Sequence, residues 1–301
     1  MRYARFPGRE LGEDSPFQFI GEEYMGVDEY DEVIEDPRRF IVEKLLPRSC
    51  RNLEDPGSVK AMVALFKWGI ESRKSADANA RLSEELRRLG FPGFSGGFSY
   101  APLDFIGDYM RDVKNVLLDT FRVPEKVKAA TVAVGSLILE MNRVAAETAT
   151  EGTRAFIPLH LNEYFSPKQY GEFYWPTLKQ VALDLIDRGF IPYIFYEGYH
   201  DAHLETILEL PKGKTVSRFE KTDLRRAKEV IGDHSCIVGG PPSSLFIGGT
   251  PTKMEEYIRD LLEGMKQGGG FIMSPAVSIP RNARPENVRA LMEAVEEHGV
   301  Y

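Results

Sequence analysis

Cysteine is scarce in this 301-residue chain: only Cys50 and Cys236 occur, far apart. That excludes a disulfide framework and makes a reducing cytoplasm the expected setting. Basic charge is short as well. Lys and Arg number 38 against 46 Asp and Glu, a formal net charge of −8. A nucleic-acid surface needs clustered Lys and Arg, and an anionic membrane face needs them too, so neither partner is expected. No apolar run approaches the roughly 20 residues that span a bilayer. The opening stretch MRYARFPGRELGEDSPFQF lacks the apolar core of a secretion signal. No G-x-G-x-x-G follows a strand-like run, which weakens a dinucleotide-binding fold. The expectation is a cytoplasmic protein with a small-molecule substrate.

What the chain does have is an ordinary globular composition, 43% hydrophobic and 28% charged, in two halves of unlike pattern. Residues 1–90 read as helical and acidic, with no β-rich segment. GEEYMGVDEYDEVIEDP (21–37) reads as a solvated helix or loop. Residues 55–90 carry Met62, Leu65, Phe66 and Ile70 at amphipathic-helix spacing, and Gly90 ends the pattern. After residue 90 the pattern alternates. Strands are predicted at 94–100, 154–161, 191–196, 214–219, 235–239 and 270–274. Helices are predicted at 124–148, 166–189, 223–232, 250–269 and 284–299, with Ser166, Asp223 and Thr250 as N-caps and Pro124, Pro167 and Pro251 in first turns. Short apolar strands separated by helices imply a parallel α/β sheet buried on both faces. A doubly wound sheet and a TIM-type (β/α)₈ barrel both fit. Six strand candidates are two short of a closed barrel. The domain reading is a helical N-terminal segment, 1–90, packed on a barrel portion, 91–301.

In a parallel barrel, functional groups sit where strands end. The first candidate strand ends near Tyr100, with Asp104 beyond. The second ends with His160, Asn162 and Glu163, the third with Glu197 followed by His200 and Asp201, and the fourth with Glu220. The fifth ends in Gly239 and Gly240, where a ligand can approach backbone closely, and the sixth in Ser274. If the strands run side by side, these groups meet at one rim. His160, Glu163, Glu197 and Glu220 are then the candidate catalytic acids and bases. Tyr100, Asp104, Asn162, His200, Gly239, Gly240 and Ser274 are the candidate substrate contacts. Glu197, His200 and His160 are the one candidate set of three metal ligands, zinc being the natural ion. Asp223 reads as a helix cap, and His203 and Glu205 as facing water. His234 and His298 carry no functional signal. Gly239, Gly240 and the tail GVY would equally suit a homodimer contact.

The segments FYWPTLK, AKEVIGD, GGPPSSLFIGGTP, GGGFIMSP and RPENVRALMEAV, with APLDFIGDYMRDVKNVLLDTFRVPEK upstream, resemble the uroporphyrinogen decarboxylase superfamily. The resemblance runs from about residue 15 and is nearest to an anaerobe-type branch close to the corrinoid methyltransferases. It implies a (β/α)₈ barrel with its site at the C-terminal mouth, and an N-terminal segment holding two further strands that has no counterpart here. The sequence then reads as a truncated or split gene product. The family's decarboxylase uses an arginine and an aspartate from those first strands, and neither can be placed. The corrinoid-linked methyltransferases bind zinc through His-x-Cys on the fifth strand and a Cys after the eighth. Phe195 and Glu197 occupy the first two places, and Ala276 or Val277 the last. Three functions follow from the resemblance: a methyltransferase-like enzyme with a corrinoid protein as partner, a lyase decarboxylating a tetrapyrrole or other carboxylated ring without a cofactor, and a noncatalytic ligand-binding subunit.

Overall fold

The apolar runs RAFIPL and IPYIFY are too short for helices and too apolar for a half-exposed sheet, so they form the buried centre of a parallel one. The computed structural model describes residues 2–13, 15, 17–91 and 96–300. It divides into two compact units, Met1–Gly97 with Pro102–Ala149, and Phe98–Ala101 with Thr150–Tyr301. Residues 102–149 therefore join the helical part of the chain rather than the sheet.

In the first unit the expectation of no strand before residue 90 needs a small correction. β1 (Ala4–Arg5) and β2 (Gln18–Phe19) form a short antiparallel pair. The rest is helical. The charged run at 21–37 becomes a 3₁₀ turn, Val27–Glu29, and a helix, Tyr30–Glu35. It is less solvated than its composition suggests, because Tyr30 and Val33 are buried. Tyr30 donates its hydroxyl hydrogen to Asp119 at 3.1 Å, and Arg111 Nε holds the same carboxylate oxygen at 2.6 Å. Helix Pro124–Ala146 corrects a second expectation: its 23 residues are apolar enough, by length and composition, to cross a bilayer. Yet one face, with Val127, Ala130, Val134 and Ile138, is buried. The helix packs on Tyr30–Glu35, and Lys126 reaches Asp31 at 2.7 Å, as a core helix of this unit would.

Helix Val59–Arg88 runs for 30 residues. It starts at Ser58, whose hydroxyl accepts from the Ala61 amide, and Gly90 at φ +87° closes it. Only Ala61 among its residues is buried. The stripe that an amphipathic helix would pack, Met62, Leu65, Phe66 and Ile70, stands exposed.

The second unit holds the sheet from Phe98 onward. β3 (Gly97–Phe98), β4 (Arg154–Leu159), β5 (Ile191–Tyr196), β6 (Val216–Phe219), β7 (Cys236–Gly239) and β8 (Phe271–Met273) lie side by side in chain order. Each pair from β4 to β8 is parallel. Residues 94 and 95 of the first predicted strand lie outside the described residues. Consecutive order without reversal separates the two architectures the sequence allowed. A doubly wound sheet reverses direction at a switch point. Right-handed crossovers in one direction instead put every helix on one face and curl the sheet the barrel way. The fold is α/β of the TIM-barrel type, with six strands among the described residues.

The register sorts the side chains. Tyr193 pairs with Phe156 and Val216, and Arg218 with Phe195 and Val238, so these six share the inner face. Ile157, Leu159, Ile194, Tyr196, Phe219 and Ile237 point the other way and are fully buried. The predicted caps are present. Ser166 forms a capping box with Gln169, Asp223 accepts from the amides of Arg225 and Arg226, and Thr250 accepts from Lys253.

Candidate functional site

The paired residues Leu159–Tyr196 and Tyr196–Phe219 fix what comes next, because side chains alternate along a strand. One step further on, His160, Glu197 and Glu220 share the parity of the inner face. The pair Gly239–Met273 places Gly240 and Ser274 on that parity too. Five strand ends therefore deliver their last residues to one level of one face, as the spacing of the sequence requires.

The contacts follow from this row. His160 Nε2 lies 3.5 Å from Glu197 Oε1, both side chains about one-third exposed. Tyr100, in the same unit, sets the edge of its ring against the His160 imidazole at 6.2 Å between centroids. The turn after β5 is strapped from both sides. The Gly198 amide donates to Glu220 Oε2 at 2.8 Å and the Tyr199 amide to Glu163 Oε2 at 3.2 Å. Gly198 takes φ +66°, and a Cβ there would lie against the Glu163 carboxylate. Glu163 and Glu220 thus hold the loop that presents Glu197.

Behind the row lies a buried polar layer. Asn162 is fully buried, donates to the Glu197 carbonyl at 2.9 Å and contacts His200 Nδ1 at 3.4 Å. His200 is fully buried too, with its amide on Thr222 Oγ1 at 2.9 Å and its ring 4.2 Å from that of Tyr196. Burial first, then the neighbouring His203, holds its pKa well below that of a free imidazole. A neutral ring accepting at Nδ1 carries its proton on Nε2, which has no partner among the described residues. His203 corrects its expected exposure. It is buried, stacks on Tyr170 at 4.2 Å and meets the Phe165 carbonyl at 3.1 Å, whereas Glu205 is exposed as expected. Burial lowers the His203 pKa, and that carbonyl contact partly opposes the shift.

The structure does not assemble the expected metal set. Among the described residues no three His, Cys, Asp or Glu side chains are grouped to hold an ion. His160 and Glu197 face each other, but His200 is fully buried against Asn162. Cys236 opens β7, at the opposite end of its strand from the row. These residues do not fit a zinc ion. Asp104 is buried in helix Pro102–Ile106 of the helical unit. Gly239 and Gly240 are glycines for internal reasons. A Cβ would strike the Leu224 side chain at 2.7 Å at the first, and the Ser274 carbonyl at 2.3 Å at the second.

Sequence reasoning passed over Arg218. It sits on the inner face of β6, over the Phe195 ring at 4.6 Å, and Nη2 donates to the carbonyls of Pro275, at 3.0 Å, and Val277. A lone arginine inside an apolar strand was the available signal. Thr222 was missed as well, and only its place two residues past Glu220 pointed to it.

Comparison with known proteins agrees with the fold. Residues 75–298 match the family model described as uroporphyrinogen decarboxylase (URO-D). A curated uroporphyrinogen decarboxylase of Enterobacter sp. (strain 638) is 32% identical over 78 residues, 26% of this chain and 22% of that protein. One of Coxiella burnetii (strain Dugway 5J108-111) is 25% identical over 138 residues, 45% of this chain and 38% of that one. The chain thus spans well under half the length of the curated relatives it matches. A solved methyltransferase from Methanosarcina mazei superposes with a TM-score of 0.55 and 19% identity, covering 68% of this chain and 58% of that one. At that identity the likeness speaks for the fold alone.

Proposed function

This chain belongs to the uroporphyrinogen decarboxylase family, and on that premise we propose that it is a methyltransferase-like enzyme working with a corrinoid-carrying partner protein. The observation that carries the proposal is the His160–Glu197 pair at the ends of β4 and β5. When a methyl group leaves a heteroatom, its electron pair stays behind and needs a proton. His160 supplies that proton as general acid, and Glu197, 3.5 Å away, orients the imidazole. The corrinoid, held by the partner, would take up the methyl group, and nothing in this chain is asked to bind it. Tyr100 walls the pair on one side. Glu163 and Glu220 hold the loop, and Asn162 anchors the Glu197 backbone.

A second reading, decarboxylation of a carboxylated ring, is favoured by the names of the curated relatives. There the same pair would protonate the carbanion left as carbon dioxide departs. The row argues for the first reading. It carries Glu197 and Glu220 with Glu163 beside them, and Arg218 is tied to backbone carbonyls, a poor reception for a polyacid.

The test offers the purified chain O-methyl and N-methyl donors with a reduced corrinoid protein, and separately uroporphyrinogen. The expected result is donor-dependent methylation of the corrinoid, followed by absorbance. His160→Gln should lower it by about 10²-fold or more, the usual weight of general acid–base catalysis. Ring decarboxylation without methyl transfer would replace the first reading with the second.

A further inference from the structure

Below the rim, the side chains that β4 to β8 turn to the inner face are apolar or aromatic apart from Cys236 and two arginines. Arg154 opens β4 at the far end. Arg218 stands one layer under the row, level with Phe195 and two residues before Glu220. Its guanidinium lies over the Phe195 ring at 4.6 Å and is touched by the Tyr193 hydroxyl. Nη2 donates to the carbonyls of Pro275, at 3.0 Å, and Val277. Nε is buried and has no hydrogen-bond partner among the described residues. All these neighbours are neutral, and no carboxylate of the described residues pairs with Arg218. A cation inside a protein is ordinarily paired with an acid, and a buried donor left unmade is costly. The nearest acids along the sheet stand one layer up. Glu197 is two residues beyond Phe195, about 7 Å along the strand, with Glu220 level with it and Glu163 on the same loop contact.

The mouth therefore carries a positive spot under a negative rim. A polyanion is repelled by the rim carboxylates, a plain cation leaves Arg218 unanswered, and a zwitterion satisfies both. We infer that Arg218 receives the single carboxylate of a short zwitterionic methyl donor, an N-methylated amino acid whose methylammonium group lies at the rim beside Glu197. The inference rests on the methyl-transfer reading and narrows its donor. With Nη2 committed to two carbonyls, the guanidinium has donors left for one acid group and not for several. The charges of such a molecule lie a few ångströms apart, and hydrogen-bond reach at the carboxylate end covers the rest of the layer. Its N-methyl groups then face the His160–Glu197 pair.

Isothermal titration calorimetry of the full chain, with no corrinoid protein present, tests this. The zwitterions are trimethylglycine and its homologues with two and three carbons between nitrogen and carboxylate. Tetramethylammonium and acetate carry one charge each. At least one zwitterion should bind saturably, and each singly charged probe about tenfold more weakly or worse, the worth of one charge-assisted hydrogen bond. Arg218→Gln should weaken the zwitterion by about tenfold or more and leave tetramethylammonium within about twofold. Arg218→Lys, which keeps the charge but not the fork that holds two carbonyls, should recover part of the loss. Circular dichroism and the urea midpoint report whether the variants are folded. A wild type that binds none of the zwitterions overturns the proposal, as does a folded Arg218→Gln chain with undiminished affinity. An Arg218 that only fastened the loop after β8 would shift all probes alike and make the Lys variant as weak as the Gln variant, and either result overturns it too. So does inorganic phosphate bound more tightly than every zwitterion. The two readings fail separately. Zwitterion binding without methylation of the corrinoid would remove the methyltransferase reading and leave the subsite, whereas methyl transfer from O-methyl donors by a chain that binds no zwitterion would do the reverse.

Discussion

Replacing Gly240 by alanine adds a single methyl group to the strand-end row, and the structure says where it goes. The new Cβ would sit 2.3 Å from the Ser274 carbonyl oxygen and 2.8 Å from the Met273 sulfur. The sulfur can swing away, but the carbonyl belongs to backbone. Restoring van der Waals contact needs a retreat of about 1 Å. Two hydrogen bonds flank that point, Ser274 N to the Gly239 carbonyl and Ala276 N to the Pro241 carbonyl, each 3.0 Å. A 1 Å retreat takes both to about 4 Å, beyond useful range. Losing them costs about 1 kcal/mol each, and the residual overpacking about 1–3 kcal/mol. The gain from a stiffer unfolded chain offsets about 0.5 kcal/mol. A net loss of about 3 kcal/mol is expected. Urea unfolding followed by fluorescence measures it, because Trp175 is buried in the same unit. Gly171→Ala is the control. Nothing lies within 4 Å of its Cβ position in the helical stretch Tyr170–Tyr174, so it should be neutral or stabilise by about 0.5–1 kcal/mol. A Gly240→Ala protein within about 0.5 kcal/mol of wild type, inside the ordinary range of surface substitutions, would refute the close-approach reasoning.

Two further outcomes follow from the polar layer. Asn162→Ala removes the donor to the Glu197 carbonyl and leaves His200 Nδ1 unserved in a buried place. It should destabilise by about 1–3 kcal/mol, read by the same urea titration, and should lower turnover further by loosening Glu197. His200 and His203 are both held neutral, with pKa values below that of a free imidazole. The unfolded chain takes up protons near pH 6.5 and the folded one resists. The unfolded state therefore binds more protons as pH falls, and the stability is present above about pH 6.5 and lost below it. The slope approaches about 1.4 kcal/mol per pH unit for each histidine. His200→Gln should remove roughly half of it, and an unchanged pH profile of the urea midpoint would count against the buried pair.

Much of this arrangement was legible before any coordinates. Apolar runs bounded by glycine and proline located the strands from β4 to β8, and period-two alternation carried His160, Glu197 and Glu220 to one rim. Those signals are local, and they survive because a parallel sheet buried on both faces tolerates little else. Three things were not legible. His203 looked solvated because helix-like spacing cannot reveal that Tyr170, more than 30 positions away, offers its ring for stacking. Gly240 looked like a place for a ligand, because the sequence does not show the β8 backbone passing against it. The metal set was not assembled because residues three apart after a strand need not stay on the same side of it: Gly198 at φ +66° turns the chain, and His200 is fully buried against Asn162 and Tyr196 while the Glu197 side chain is about one-third exposed. The stripe on helix Val59–Arg88 was seen in the sequence, but exposure is a fact only coordinates supply.

The level row of strand ends also acts as a ruler. Neighbouring strands lie about 4.8 Å apart, so His160 and Ser274, separated by four such steps, stand about 19 Å apart along the sheet. A methyl donor a few ångströms long can touch one or two strand ends, while a macrocycle would reach most of them. Swapping Ser274 for a bulkier side chain is therefore a size gauge: indifferent to a small substrate held at His160, and an obstruction to one that spans the row.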